Sequence, residues 1–210
     1  MNVIAINGSP REEGNTAIAL EWMAEELRQE GIGVEVVQIG NRNIRGCMGC
    51  DVCFSSGDNF CVLKDDGVNG LVRQMRQADG FIIGSPTYFG GMAGTLKCFL
   101  DRAFYNACRI GAYRNKVGAA VTSIRRAGGV ATYNQIITYY HLAEMIVPPS
   151  QAWVMGYGRS RGEIRGDEEG SQIIRRHANA MAWVLKMKEA TKDSVALPRA
   201  ESARSMNFIR

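Results

Sequence analysis

The chain has 210 residues, 46% hydrophobic and 22% charged, enough to bury a core, which excludes an intrinsically disordered chain, a collagen and a coiled coil. No run of 18 apolar residues occurs, so no membrane-spanning helix is expected. The net charge of +4 divides unevenly: residues 1–100 carry 8 Lys and Arg against 12 Asp and Glu (−4), and residues 101–210 carry 17 against 9 (+8). The basic half suits an anionic partner or simply solvated helix faces, and the lack of a dense Lys/Arg run with interleaved aromatics argues against nucleic acid.

Residues 2–7 are a short apolar run ended by Gly8-Ser9-Pro10, a buried strand entering a loop. Asn15-Thr16 opens an amphipathic helix that places Ile18, Trp22 and Leu27 on one face and stops at Gly31. A second strand is expected at 34–39, then a Gly- and Cys-rich loop over 40–64, then a helix starting near Asp65-Asp66 and reaching Ala78. Residues 80–84 form a third buried strand that breaks into Ser85-Pro86-Thr87-Tyr88-Phe89-Gly90-Gly91. A helix follows over about 95–105, a fourth strand over 117–123, a helix over about 130–145, a fifth strand over 151–155 and a last helix over about 168–188. Residues 193–210 lack a period and read as a docking arm or a disordered tail.

Strands alternating with helices imply right-handed βαβ crossovers and a parallel sheet covered on both faces. Five strands in this length suit a flavodoxin-like doubly wound α/β domain over 1–192, with a cysteine-rich insertion at 46–64.

The first strand–helix loop contains neither G-x-G-x-x-G nor a P-loop. Ser9, Arg11, Asn15 and Thr16 at a helix N-terminus suit a phosphate, and equally a helix start capped by its own side chains. The third loop tips the balance. In a doubly wound sheet it opens on the same crevice, and an aromatic pair flanked by Pro86 and Gly90 can lay a planar ring against backbone amides, as a flavin needs.

Cys47, Cys50, Cys53 and Cys61 follow a C-x2-C-x2-C-x7-C pattern. Four clustered thiolates suit zinc or a [4Fe–4S] cluster, and two successive x2 gaps favour iron–sulfur; reduced thiols or a disulfide are the alternatives. Cys98 and Cys108 lie in an apolar helical stretch and read as core. His141 and His177 have no partner at catalytic spacing, and no hydrolase pattern is present.

GSPR-x-x-GNT followed by SPTYFGGMAGTLKCFLDR resembles the NADPH-dependent FMN reductase and iron-sulfur flavoprotein branch of the flavodoxin-like superfamily, over roughly residues 1–190. The resemblance implies FMN, its phosphate on Ser9, Arg11, Asn15 and Thr16, its ring on Pro86, Thr87, Tyr88, Phe89 and Gly90, with Ser123 and the loop to Gly129 at a ring edge. It implies a [4Fe–4S] cluster on the four cysteines, NAD(P)H as co-substrate and a homodimer or homotetramer. Two activities follow as expectations. One is an oxidoreductase passing electrons from NAD(P)H through FMN to a quinone, flavin or similar small acceptor; the other is an electron carrier between a ferredoxin-type protein and FMN through the cluster. The flavin would carry the chemistry, with no catalytic side chain. The N-terminus shows no basic n-region or cleavage site, so a cytoplasmic location without membrane association is expected.

Overall fold

Six strands, β1 (Asn2–Asn7), β2 (Gly33–Gln38), β3 (Gly80–Tyr88), β4 (Gly91–Met92), β5 (Val117–Ile124) and β6 (Met155–Tyr157), build one sheet in the computed structural model. The structure describes residues 1–63, 66–199 and 201. Five strands run parallel in the order β2-β1-β3-β5-β6, the flavodoxin-like order of a doubly wound sheet. The register pairs Ile4 with Glu35 and Phe81, and Pro86 with Ser123. The two-residue β4 pairs antiparallel to the end of β3, an addition to the five strands that the sequence predicts. Strands β1, β3 and β5 are buried almost throughout, as unbroken apolar runs between two helical layers must be; β2 lies at an edge and is partly exposed.

The helices are α1 (Asn15–Gln29), α2 (Val52–Ser55), α3 (Val68–Gln77), α4 (Gly94–Ile110), α5 (Gly129–Leu142) and α6 (Glu168–Thr191). Helix α1 lies against the sheet and α6, burying Ala19, Leu20, Met23 and Leu27. Helix α6 is capped by Asp167, whose carboxylate accepts from Gly170 N at 2.9 Å. Among the described residues no helix is long and apolar enough to cross a membrane.

Several boundaries differ from the sequence reading. The last strand occupies Met155–Tyr157, not 151–155, and Trp153 is exposed. Ile146 makes a single bridge to Val117, and Pro148-Pro149 then interrupt pairing because proline has no N–H to donate. Pairing resumes when Thr122 N donates to Val154 O at 3.0 Å. Helix α3 starts at Val68, with Asp66 Oδ1 accepting from Val68 N at 3.2 Å; Asp65 lies outside the described residues. Helix α4 continues five residues past Tyr105, and the cysteine-rich segment contains the single-turn α2. Of the expected tail, residues 193–199 are irregular and exposed, and 200 and 202–210 lie outside the described residues.

Candidate functional site: the strand-end crevice and the cysteine loop

The loops after β1, β3, β5 and β6 meet at the carboxyl ends of the parallel strands, where a cavity of about 180 Å³ opens. It brings Ser9, Arg11, Asn15 and Thr16 together with Pro86, Thr87, Tyr88 and Ser123. Phe89 and Gly90 do not line it. They form the tip of the β3–β4 turn at positive φ, with Phe89 fully exposed. A larger groove of about 570 Å³ runs along α1 past Glu12, Trp22 and Arg165 and shares none of the residues that line the crevice.

The first loop is braced from below. Ser9 N donates to Asn7 Oδ1 at 3.0 Å, and Gln38 Nε2 donates to Ser9 O at 2.6 Å. Gly40 passes so close that a Cβ there would lie 2.2 Å from the Ser9 carbonyl. Helix α1 then follows its N-cap Gly14, which offers no side chain to cap it, so the N–H groups of Asn15, Thr16 and Ala17 have no partner among the described residues. The Thr16 hydroxyl meets Ser123 Oγ at 2.5 Å and joins the first loop to the end of β5.

The amide of Asn15 is engaged elsewhere than the sequence suggests. Its Nδ2 donates to Gly158 O (3.1 Å) and Ser160 O (3.0 Å), and its Oδ1 accepts from Gly162 N (2.9 Å). It therefore fastens the loop after β6 to the start of α1. In that loop Glu163 accepts the N–H groups of Ser160 and Arg159, which hold its carboxyl below the usual carboxylate range. Gly158 and Arg159 consequently line the cavity. Sequence reasoning missed both, because the strand preceding them was set too early.

Two features invite a polar ligand. Thr87 Oγ1 is buried without a hydrogen-bond partner, and a buried hydroxyl left unpaired is costly. Arg11, Arg125 and Arg159 line the cavity and make no ion pair among the described residues. The β3–β4 turn is set by close contact with the β5–α5 loop: a Cβ on Gly128 (φ +88°) would lie 3.0 Å from Gly90 Cα and 3.2 Å from Thr87 Cγ2.

The four cysteines share one small cavity of about 20 Å³ with Arg102 and Tyr105. Cys47 and Cys50 are exposed, Cys53 and Cys61 half-buried. Gly49 N donates to Cys47 Sγ at 3.4 Å, and Arg102 Nε to Cys61 Sγ at 3.3 Å. Burial pushes the Cys53 thiol up, and the charges of Cys61, Cys47 and Cys50 add to the effect. The donor chemistry fits a thiolate-bound metal centre; among the described residues no group of three or more Cys, His, Asp or Glu side chains is already closed to metal-binding geometry. Cys98 and Cys108 pack half-buried against the core as expected, His177 is fully buried, and His141 is exposed.

A sequence model of the NADPH-dependent FMN reductase family matches residues 1–160. An iron-sulfur flavoprotein of Methanocaldococcus jannaschii is 35% identical over 195 residues, spanning 89% of this chain and 98% of that protein. An iron-sulfur flavoprotein of Archaeoglobus fulgidus is 39% identical over 204 residues, spanning 92% and 98%. Among solved structures, RosB, crystallised with bound 8-demethyl-8-formylriboflavin-5'-phosphate, superposes with a TM-score of 0.72 at 16% identity, over 100% of this chain and 94% of that one. The chain belongs to the NADPH-dependent FMN reductase family, FMN-binding flavoprotein oxidoreductases, with the iron-sulfur flavoproteins as its full-length relatives.

Proposed function

We propose that this chain is an FMN-dependent oxidoreductase that passes electrons from NAD(P)H through bound FMN to a small acceptor such as a quinone or free flavin. The observation that carries this reading is the crevice where an uncapped α1 N-terminus, three arginines that form no ion pair among the described residues and the orphaned Thr87 hydroxyl converge. The residues fit the group. A phosphomonoester dianion finds free N–H groups, the positive end of a helix dipole and the Arg11 guanidinium. Ser9 and Thr16 supply hydroxyls already held by Arg11 N and Ser123. The cavity of about 180 Å³ is smaller than the ~300–1,000 Å³ usual for small-molecule sites. It accommodates the phosphate end, and Pro86 to Gly90 offer a rim for the ring. FMN, when bound, supplies two-electron exchange with a nicotinamide and one-electron exchange with other centres.

The four cysteines favour a second reading, in which a [4Fe–4S] cluster on Cys47, Cys50, Cys53 and Cys61 relays electrons between FMN and a ferredoxin-type protein. The support is that all four cysteines border one cavity and that two of them, Cys47 and Cys61, already accept N–H···S bonds. A cytoplasmic setting would keep those thiols reduced. A homodimer or homotetramer, and a separate C-terminal arm after residue 192, belong to the same reading.

Anaerobic protein discriminates the two. Its absorbance spectrum, iron and acid-labile sulfide are measured first, and NADPH and NADH oxidation with a quinone acceptor next. Rapid turnover without iron assigns the reductase. Stoichiometric iron with slow nicotinamide turnover assigns the carrier. Neither flavin nor iron would overturn both.

A further inference from the structure

The cysteine loop rests on α4, the helix that leaves the β3–β4 turn. Arg102, Tyr105, Asn106 and Arg109 follow the i, i+3, i+4, i+7 spacing of one helix face. Each takes hold of the loop. The Tyr105 hydroxyl donates to Asp51 Oδ1 at 2.8 Å, and Asn106 Nδ2 donates to the Cys53 carbonyl at 2.9 Å. The Arg109 guanidinium lies 4.3 Å from the Phe54 ring centroid.

Arg102 does the most. Its side chain is 0% exposed. A guanidinium has five N–H donors, and all five find acceptors. Nε donates to Cys61 Sγ (3.3 Å), and Nη1 to Arg45 O (3.3 Å) and to the Asp66 carboxylate. Nη2 donates to Leu63 O (3.0 Å) and again to Asp66 (3.2 Å). One acceptor precedes the first cysteine and the others lie at or beyond the last, so this one side chain closes the neck of the loop. Asp66 offsets the buried positive charge, and the remaining bonds tie two loop carbonyls and the Cys61 sulfur to the same guanidinium.

We propose that Arg102 is the positioning residue of the cysteine site, fixing Cys61 and closing the loop on α4 so that the other three sulfurs can converge on a bound cluster. This rests on the reading of the four cysteines as cluster ligands. An N–H bond to a ligating sulfur and an adjacent positive charge both favour the more reduced cluster, so Arg102 raises its potential.

Wild type, Arg102→Gln and Arg102→Lys are reconstituted anaerobically with iron and sulfide. Native circular dichroism and retained FMN establish folding. Iron retention against a chelator and the cluster potential are then read. Wild type is expected to hold a full cluster, and the folded variants to lose iron roughly 10–100-fold more readily, the usual effect of removing a residue that orients a ligand. Cluster that still forms in Arg102→Gln is expected at a more negative potential, with Arg102→Lys, which keeps the charge, shifted less. If Arg102→Gln does not fold, the lysine variant carries the reading. A wild type without a cluster removes the ligand reading and this inference with it. A loaded wild type with variants equal in retention and potential overturns the role of Arg102 alone. Loss of native circular dichroism in both variants would make Arg102 a residue of the fold only and also overturn its role.

Discussion

Thr16 and Ser123 lie 107 positions apart and meet at 2.5 Å, joining the start of α1 to the end of β5 at the crevice. Ser9, Arg11 and Thr16 were legible in the sequence because contiguous hydroxyl and cationic residues before a helix suit an anion whatever the rest of the fold does. The use of the Asn15 amide was not legible, since its acceptors and donor lie 143 to 147 positions away. Arg102 was hidden for the same reason: a helix surface position normally implies solvent, and only the returning cysteine loop buries it. Arg11→Ala and Thr16→Ala are each expected to weaken FMN binding by about 1–3 kcal/mol, the range for a phosphate or charge-assisted hydrogen bond. Fluorescence titration of apoprotein with FMN measures this. Unchanged affinity in both variants would remove the phosphate from this loop.

At the scale of elements, the crevice depends on how loops touch. Gly128 (φ +88°) sits against the turn formed by Phe89 (φ +50°) and Gly90 (φ +76°). Gly128→Ala is expected to cost about 1–3 kcal/mol, from a left-handed backbone conformation that a Cβ strains, together with contact against Gly90. Chemical denaturation reads the stability loss, and flavin retention should fall with it; a variant as stable as wild type would show that the two loops part easily. Asn15→Ala should leave α1 folded and free the 158–162 loop, visible as faster hydrogen exchange there than in wild type. Protection equal to wild type would mean that Glu163 and the Arg161–Glu13 contacts hold that loop without Asn15. Strand β6 was the element least legible from sequence. The apolar run at 151–155 has strand composition, but Pro148-Pro149 delay pairing until Val154, and no local pattern reports that delay. Strand β4 is too short for any periodicity to reveal.

For the whole molecule, the buried strands β1, β3 and β5 were legible as unbroken apolar runs between helical segments. Chain order alone then implied a parallel sheet with its loops converging at one end. His177 ties stability to pH. It is fully buried on α6, with Nδ1 3.3 Å from Pro149 O and Nε2 unpartnered, and burial lowers its pKa below the ordinary value. The unfolded chain, with an ordinary pKa of about 6.5, therefore binds this proton more readily than the folded one. Stability should be level above roughly pH 6.5 and fall as the pH drops below it. His177→Gln should flatten that slope, as urea denaturation between pH 7.5 and about 5.5 would measure; an equal slope in the variant would assign the acid sensitivity to other groups. The assembly of the strand-end crevice into a monophosphate flavin site is tested most directly by refolding or reconstituting the full chain with excess FMN and FAD together, removing unbound flavin, releasing what remains with acid and separating it by chromatography. One FMN per chain, with FAD absent, is the expected result; FAD in its place, or no retained flavin in protein with native circular dichroism, would contradict it.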